Sequence, residues 1–95
     1  MTEIVKNIKV VGLGQACLDY LTRTPTYPSE DNKVELMDIH VHSGGPASTA
    51  LVALSRLGIR TSFLGSISDD YFGSKIIKGL KKESVDTSFL KITPD

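Results

Sequence analysis

The stretch GGPASTALVALSRLG, residues 44–58, has the pattern of one complete helix with its start and its end. Pro46 suits the first helical turn, where its missing N–H is not needed, and Gly58 stands where a left-handed C-terminal cap is expected. A doublet without side chains, Gly44–Gly45, comes directly before the helix. The i, i+3, i+4 spacing predicts one buried face, made of Ala47, Ala50, Leu51, Leu54 and Leu57.

The Gly44–Gly45 doublet has two interpretations. A helix N-terminus carries unpaired N–H groups and a partial positive charge, and glycines before it let a ligand approach the main chain. Ser48 and Thr49 add hydroxyl groups in the first turn, so an oxygen-rich small molecule would suit such a site. The alternative is a tight turn from strand to helix, and the spacing alone favours the turn.

Outward from this helix, the chain alternates strands and helices. A loop is expected at residues 22–33, and strands at Ile8–Gly14, Val34–His42, Thr61–Ile67 and Ser88–Ile92. A second helix is expected after Asp70, with Ser68 or Asp69 as its cap and with Phe72, Ile76 and Leu80 on its inner face. This order predicts an α/β protein with a parallel sheet flanked by helices. Two helices cannot cover both faces of such a sheet, so the chain is expected to be the first part of a larger domain.

Composition excludes several classes of protein. Lys+Arg and Asp+Glu both number 11, so there is no basic excess of the kind that nucleic acids or membrane surfaces attract. No apolar run approaches the ~20 residues that span a bilayer. The single Cys17 cannot form an internal disulfide, and the polar N-terminus has no apolar signal core, so a cytoplasmic location is expected.

Asp19 is a further candidate site residue, because it lies just beyond the first predicted strand and its Gly12 and Gly14. In an open parallel sheet, ligands collect outside the carboxyl ends of the strands, and Gly44 is expected to border the same crevice. A carboxylate there can accept hydrogen bonds from two neighbouring hydroxyls of a sugar. The alternative, a solvated loop aspartate, agrees equally well with the sequence.

Three other sequence patterns are weaker evidence for a functional site. His40 and His42 share one strand face, but no nearby cysteine completes a ligand set, so they indicate a solvent-facing or lid role better than a metal site. Cys17 has no basic neighbour, which indicates a small buried hydrophobe and not a nucleophile. The G-x-G of VVGLGQAC lacks the third glycine of a dinucleotide fingerprint, since Cys17 stands at that position.

Several spaced elements together resemble the ribokinase-like (PfkB) carbohydrate kinase family. Residues 44–58 are similar to that family's first signature, a double glycine before an Ala-rich helix that closes with a glycine. GIRTSFLGSISDDYFG and ESVDT are similar to the strand, the G-x-x-G-x-D-x-x-G-like stretch and the GVDT-like turn that follow it. The matching residues are Gly14, Asp19, Gly44, Gly45, Pro46, Ala47, Gly58, Gly65, Asp70, Gly73, Val85, Asp86 and Thr87.

The resemblance implies a ribokinase-like three-layer α/β sandwich with a small β-sheet lid. Residues 1–95 would form the N-terminal part of a single kinase domain, with lid strands within about residues 17–42, and two copies would pair through the lid as a homodimer. The implied activity is phosphorylation of a primary alcohol of a sugar by ATP and Mg²⁺. The residues that the resemblance assigns to substrate binding are Asp19, Gly44, Gly45 and Thr49.

Two departures from the family's pattern bear on the substrate. Thr49 stands where the family has an asparagine, and Cys17 where ribokinases have a ribose-contacting asparagine. Ribose is therefore disfavoured, while fructose-like sugars, sugar acids and nucleosides stay open.

One motif of the family is missing. No GAGD-like stretch occurs, so no residue is assigned as catalytic or to a metal, and the catalytic aspartate and most of the nucleotide site are expected beyond residue 95. The chain alone is expected to have no kinase activity. The rival hypothesis is a non-catalytic sugar-binding or dimerisation module built on the same sheet and lid.

Overall fold

The structure, a computed structural model, describes residues 7–94. Five strands and two helices follow one another along this part of the chain. The strands are β1 (Val10–Leu13), β2 (Cys17–Arg23), β3 (Asp38–Gly44), β4 (Thr61–Ser68) and β5 (Leu90–Thr93). The helices are α1 (Pro46–Arg56), between β3 and β4, and α2 (Tyr71–Lys82), between β4 and β5. Neither helix is long and apolar enough to cross a membrane.

The described strands form two separate sheets. One is parallel, with the strand order β1–β4–β5. The other is the antiparallel pair of β2 and β3, called the lid from here on. The crossovers from β1 to β4 and from β4 to β5 step in the same direction across the sheet. Right-handed connections therefore place α1 and α2 on the same face of it.

The hydrophobic core lies between this face of the parallel sheet and the two helices. Phe63 of β4 is fully buried, and Leu51 of α1 and Leu80 of α2 pack in the same cluster. At Gly12 of β1 an added Cβ would stand 2.6 Å from Leu51 Cδ1, so the missing side chain lets α1 come close to the sheet. Full burial of one such side chain contributes about 1.5–3 kcal/mol, which makes these few residues the main support of the helices.

The opposite face of the parallel sheet is open among the described residues. Val11, Leu13 and Leu64 alternate with the core-facing residues and are 58%, 76% and 42% exposed. The Cα radius of gyration is 16.5 Å, against ~13 Å for a compact domain of about this length. The prediction that two helices leave part of the sheet uncovered is thus confirmed.

Helix α1 has the predicted span, and its end has the predicted geometry, with Gly58 at a φ of 88°. The prediction of its buried face is partly wrong. Ser48 is buried, whereas Ala50 is exposed and Leu57 is 78% exposed. Leu57 is the C-cap beyond the last turn. The buried stripe runs through Ser48 and Leu51, and Ala50 lies about 100° around the helix axis from Leu51.

The start of α2 and of β3 also differ from prediction. The cap of α2 is Asp70, whose carboxylate accepts a hydrogen bond from the Gly73 N–H at 2.9 Å, so the choice of Ser68 or Asp69 was wrong. Phe72 is 47% exposed because its ring lies beside the lid residue Tyr20, at a centroid distance of 6.3 Å, and not in the core. Strand β3 begins at Asp38 and not at residue 34.

Candidate functional site

The antiparallel pairing of the lid brings Asp19 to the glycine doublet. Cys17 lies opposite Gly44, and Asp19 lies opposite His42. These residues share one face of the lid, because opposite residues of antiparallel strands face the same way and the face repeats every second residue. An added Cβ on Gly44 would stand 2.8 Å from Asp19 Cγ and 3.1 Å from Oδ1. Asp19 therefore lies where a side chain at position 44 would be, and glycine leaves it that room.

Gly45 is required for a different reason. It is the N-cap of α1 and has a φ of 97°, a conformation that favours glycine. An added Cβ there would stand 2.5 Å from the main-chain oxygen of Gln15 and 2.9 Å from Ala16 Cα. Gly45 thus makes the predicted turn from strand to helix, with the β1–β2 connection packed against it. The open access predicted for the doublet is not found at Gly44 either, because Gly44 is buried and the Asp19 carboxylate lies where its side chain would be.

Cys17 is at this site and is not the buried hydrophobe that the sequence suggested. The residue is exposed, and its thiol donates a hydrogen bond to Asp19 Oδ1 at 3.5 Å. Partial desolvation of the sulfur raises the pKa of the Cys17 thiol, and the hydrogen bond to Asp19 and the negative charge of that carboxylate act in the same direction. The thiol therefore stays protonated at neutral pH and is a weak donor beside Asp19.

One face of the lid, called the Asp19 face, is polar along most of its length. Near its outer end Arg23 Nη2 lies 2.8 Å from Asp38 Oδ2, and His40 Nε2 lies 3.7 Å from Asp38 Oδ1. The members of the Asp19 face are Cys17, Asp19, Leu21, Arg23, Asp38, His40, His42 and Gly44.

The two histidines of the Asp19 face stack edge to face, with ring centroids 6.4 Å apart. No group of three His, Cys, Asp or Glu side chains within residues 7–94 is placed to hold a metal ion. His40 is 66% exposed at its side chain and leans towards Asp38. The geometry thus agrees with the solvent-facing role that the alternating HVH pattern indicated.

Thr49 lies one helical turn beyond Gly45 and does not line the same surface as Asp19. Its N–H donates to the Gly45 carbonyl at 3.0 Å, inside the first turn of α1. It lines a groove of about 590 Å³ between β3, α1 and α2, together with His42 and the buried Ser48. Neither Asp19 nor the doublet lines this groove. The structure therefore joins Asp19, Gly44 and Gly45 in one place, and links Thr49 to Gly45 through the first turn of α1. Thr49 shares the groove with His42.

His42 is a neighbour of Asp19 that the sequence analysis assigned to a solvent-facing or lid role but did not place beside Asp19. The signal was present in the alternating HVH of residues 40–42, but its meaning depends on the register of the lid. A shift by one residue would turn His42 to the opposite face.

Residues 7–95 match the pfkB family carbohydrate kinases, and the chain belongs to this family. It is 30% identical over 83 residues to a 5-dehydro-2-deoxygluconokinase of Geobacillus kaustophilus (strain HTA426), an alignment that covers 87% of this chain and 24% of the relative. The family resemblance drawn from the signature residues is confirmed.

Two solved structures show the fold. The ribokinase from Cryptococcus neoformans var. grubii serotype A in complex with ADP superposes with a TM-score of 0.78 at 23% identity, over 93% of this chain and 28% of that one. The ribokinase from Giardia lamblia superposes with a TM-score of 0.80 at 18% identity, over 93% and 27%. The chain thus has the N-terminal part of the ribokinase-like fold, as predicted, and spans about a quarter of the length of these relatives.

Proposed function

We propose that this chain is the sugar-binding part of an ATP-dependent carbohydrate kinase that phosphorylates a primary alcohol of a sugar or sugar acid. The observation that carries the proposal is the position of the Asp19 carboxylate over Gly44, at the start of α1. A carboxylate can accept hydrogen bonds from two neighbouring hydroxyls, and such charge-assisted bonds are the strong ones. The positive end of α1 stabilises a negative charge at this place.

Gly44 and Gly45 contribute to the proposed sugar site because they have no side chain. A side chain at Gly44 would push Asp19 away, and one at Gly45 would push the β1–β2 connection away. Thr49, which offers a hydroxyl one turn further, completes the proposed substrate site when a sugar extends past His42 towards the groove.

The substrate we propose is a sugar acid in preference to ribose. Several relatives are 5-dehydro-2-deoxygluconokinases, whose name specifies a gluconate derivative. Cys17, with its weak thiol donor already directed at Asp19, is a poor substitute for the amide that ribokinases use to contact ribose.

Mg²⁺–ATP does not fit the start of α1. A helix N-terminus is an ordinary phosphate site, but at α1 the Asp19 carboxylate occupies the approach and would repel a phosphate. In this proposal the catalytic aspartate and most of the nucleotide pocket belong to sequence beyond residue 95, and the chain alone is inactive. No residue here is assigned a step of the transfer.

A homodimer through the lid is part of the proposal. The lid face opposite Asp19 is apolar apart from Thr22 and Ser43, and Tyr20, Ile39 and Val41 on it are 54%, 57% and 52% exposed. Pairing with a second copy would remove this surface from water. The same observation favours the second candidate function, a module that dimerises or binds sugar without catalysis. We place either protein in the cytoplasm, in keeping with its single Cys17.

The test is ADP release by the parent protein with ATP, Mg²⁺ and a panel of sugars and sugar acids that includes 5-dehydro-2-deoxygluconate. We expect ADP release with at least one panel member, and none from the 95-residue chain. Asp19→Ala should abolish sugar binding without changing the elution volume of the dimer, while Glu30→Ala, an exposed carboxylate in the loop, should change neither. ADP release by the isolated chain, or a parent that is inactive with the whole panel, would contradict the proposal. A change in dimerisation alone would favour the non-catalytic module.

A further inference from the structure

His42 has an unused hydrogen-bonding capacity beside Asp19. It lies directly opposite Asp19 in the lid ladder, and Cβ atoms at such positions are about 4.5–5.5 Å apart. Among residues 7–94 the imidazole has no hydrogen-bond or ion-pair partner, and it does not bond to Asp19 itself. An acceptor and a donor therefore stand next to each other without a hydrogen bond between them.

The other polar groups of the Asp19 face lie closest to partners within that face. The Arg23 guanidinium is paired with Asp38 Oδ2 at 2.8 Å. His40 Nε2 is the nearest donor to Asp38 Oδ1, a buried oxygen without a hydrogen bond. Cys17 directs its thiol at Asp19. Within the described part of this face, His42 is thus the donor left for a ligand that already touches Asp19.

We propose that His42 is a specificity-determining residue that binds a carboxylate of the same sugar whose hydroxyl binds to Asp19. The proposal rests on the proposed function of the site and adds the group that is recognised. An imidazole offers an N–H in either charge state, and its hydrogen bond to a charged acceptor is about twice as strong as one to a neutral acceptor. The ligand that fits an acceptor next to a donor is a hydroxy acid, and among carbohydrates that is a polyhydroxy acid of the aldonate type.

Because Asp19 is negatively charged, an acidic ligand at this site needs a hydrogen-bond donor such as His42. A ligand carboxylate close to Asp19 is repelled unless a donor lies between the two groups. His42 stands on the strand opposite Asp19 and supplies such a donor. Removing the imidazole should therefore weaken binding of an acid and leave binding of the matching neutral polyol nearly unchanged.

The test uses D-gluconate and D-glucitol, which differ only at C1, where one has a carboxylate and the other an alcohol. Both are titrated into the ¹⁵N-labelled 95-residue chain, and dissociation constants are taken from amide chemical shifts. We expect both ligands to shift the amides of Asp19, Gly44 and Gly45, and gluconate to shift His42 as well. His42→Ala should weaken gluconate about tenfold or more and glucitol by less than about twofold.

Two further variants separate recognition from folding. His42→Gln keeps an N–H donor and should retain part of the preference for gluconate. Thr22→Ala, on the opposite face of the lid, should change the binding of neither ligand. Thermal unfolding by circular dichroism checks that each variant is folded, and kcat/KM ratios for acid against neutral sugar in the parent protein repeat the comparison.

Equal binding of gluconate and glucitol, or an equal effect of His42→Ala on both, would overturn the proposal and leave the carbohydrate site at Asp19 standing. If neither ligand shifts Asp19 or the doublet, the proposal fails together with the proposed function of the site.

Discussion

Replacing Gly44 with alanine removes the space in which the Asp19 carboxylate lies. The new Cβ would stand 2.8 Å from Asp19 Cγ, so the carboxylate must move or the lid must distort. Overpacking costs about 1–3 kcal/mol, and exchanging glycine for alanine where φ is ordinary returns about 0.4–1 kcal/mol. We expect a net loss of about 1 kcal/mol, which lowers Tm by about 4–8 °C in a domain of this size. Sugar binding should weaken about tenfold or more, because the displaced carboxylate loses charged hydrogen bonds.

The assay is a double-mutant cycle with Asp19→Ala, measured by thermal unfolding and, in the parent protein, by sugar titration. Without the carboxylate the alanine at position 44 has room, so the two changes should couple by about 1 kcal/mol. Gly79→Ala is the control, since its Cβ would stand 3.1 Å from the Ser43 hydroxyl, outside the Asp19 site. If Gly44→Ala costs the same with and without the Asp19 carboxylate, the contact is not the cause and the reasoning is refuted.

Three further changes test other parts of the structure. Gly45→Ala places a Cβ 2.5 Å from the Gln15 oxygen at a residue whose φ is 97°. We expect it to lower the free energy of unfolding in urea by about 2 kcal/mol or more. An unchanged free energy of unfolding would contradict the packing described for that turn. Asp70→Ala removes the cap of α2. Because the Gly73 N–H lowers the pKa of Asp70, the contribution of the ionised cap to stability is complete above the ordinary carboxyl pKa of about 4 and is lost as pH falls through the lower folded value. The Tm difference between wild type and Asp70→Ala should therefore shrink as the pH is lowered below about 4, and a constant difference would exclude a role for the ionised carboxylate. Cys17 should react slowly with iodoacetamide at neutral pH, because the pKa of its thiol is raised. Asp19→Asn should speed the reaction, since it removes the negative charge beside the thiol. An unchanged rate would show that Asp19 does not help to keep the thiol protonated.

Local spacing and turn chemistry predicted the order of the two helices and of four strands, the α1 span and its glycine cap. They did not predict β2 as a separate strand at Cys17–Arg23, part of which was expected to be loop. The proximity of Asp19 and Gly44 was also predicted, but the expected cause was wrong. Both residues lie in the antiparallel lid, where β2 pairs with β3, and not at an edge of the parallel sheet. His42 could not be placed in the same way. Its position opposite Asp19 depends on the register of the lid, and the long loop between β2 and β3 leaves that register open in the sequence.

The buried face of α1 shows a second limit of sequence analysis. Ser48 is buried and Ala50 is exposed. Small residues such as serine and alanine are found both in cores and on surfaces, so the hydrophobic spacing does not predict which of them is buried. Cys17 was misplaced for a related reason. Cysteine without a basic neighbour is usually a small buried residue. Here the antiparallel pairing with Gly44 places Cys17 on the Asp19 face, where it is exposed.

The kinetics of Asp19→Asn in the parent protein test the central claim most directly. The amide has nearly the same shape but loses the charge, and an NH₂ donor replaces one acceptor oxygen, so it cannot accept one hydroxyl on each of two charged oxygens as the carboxylate does. The account predicts that KM for the sugar rises about tenfold or more while KM for ATP stays unchanged. An unchanged KM for the sugar would contradict the assignment of Asp19 and the doublet to sugar binding.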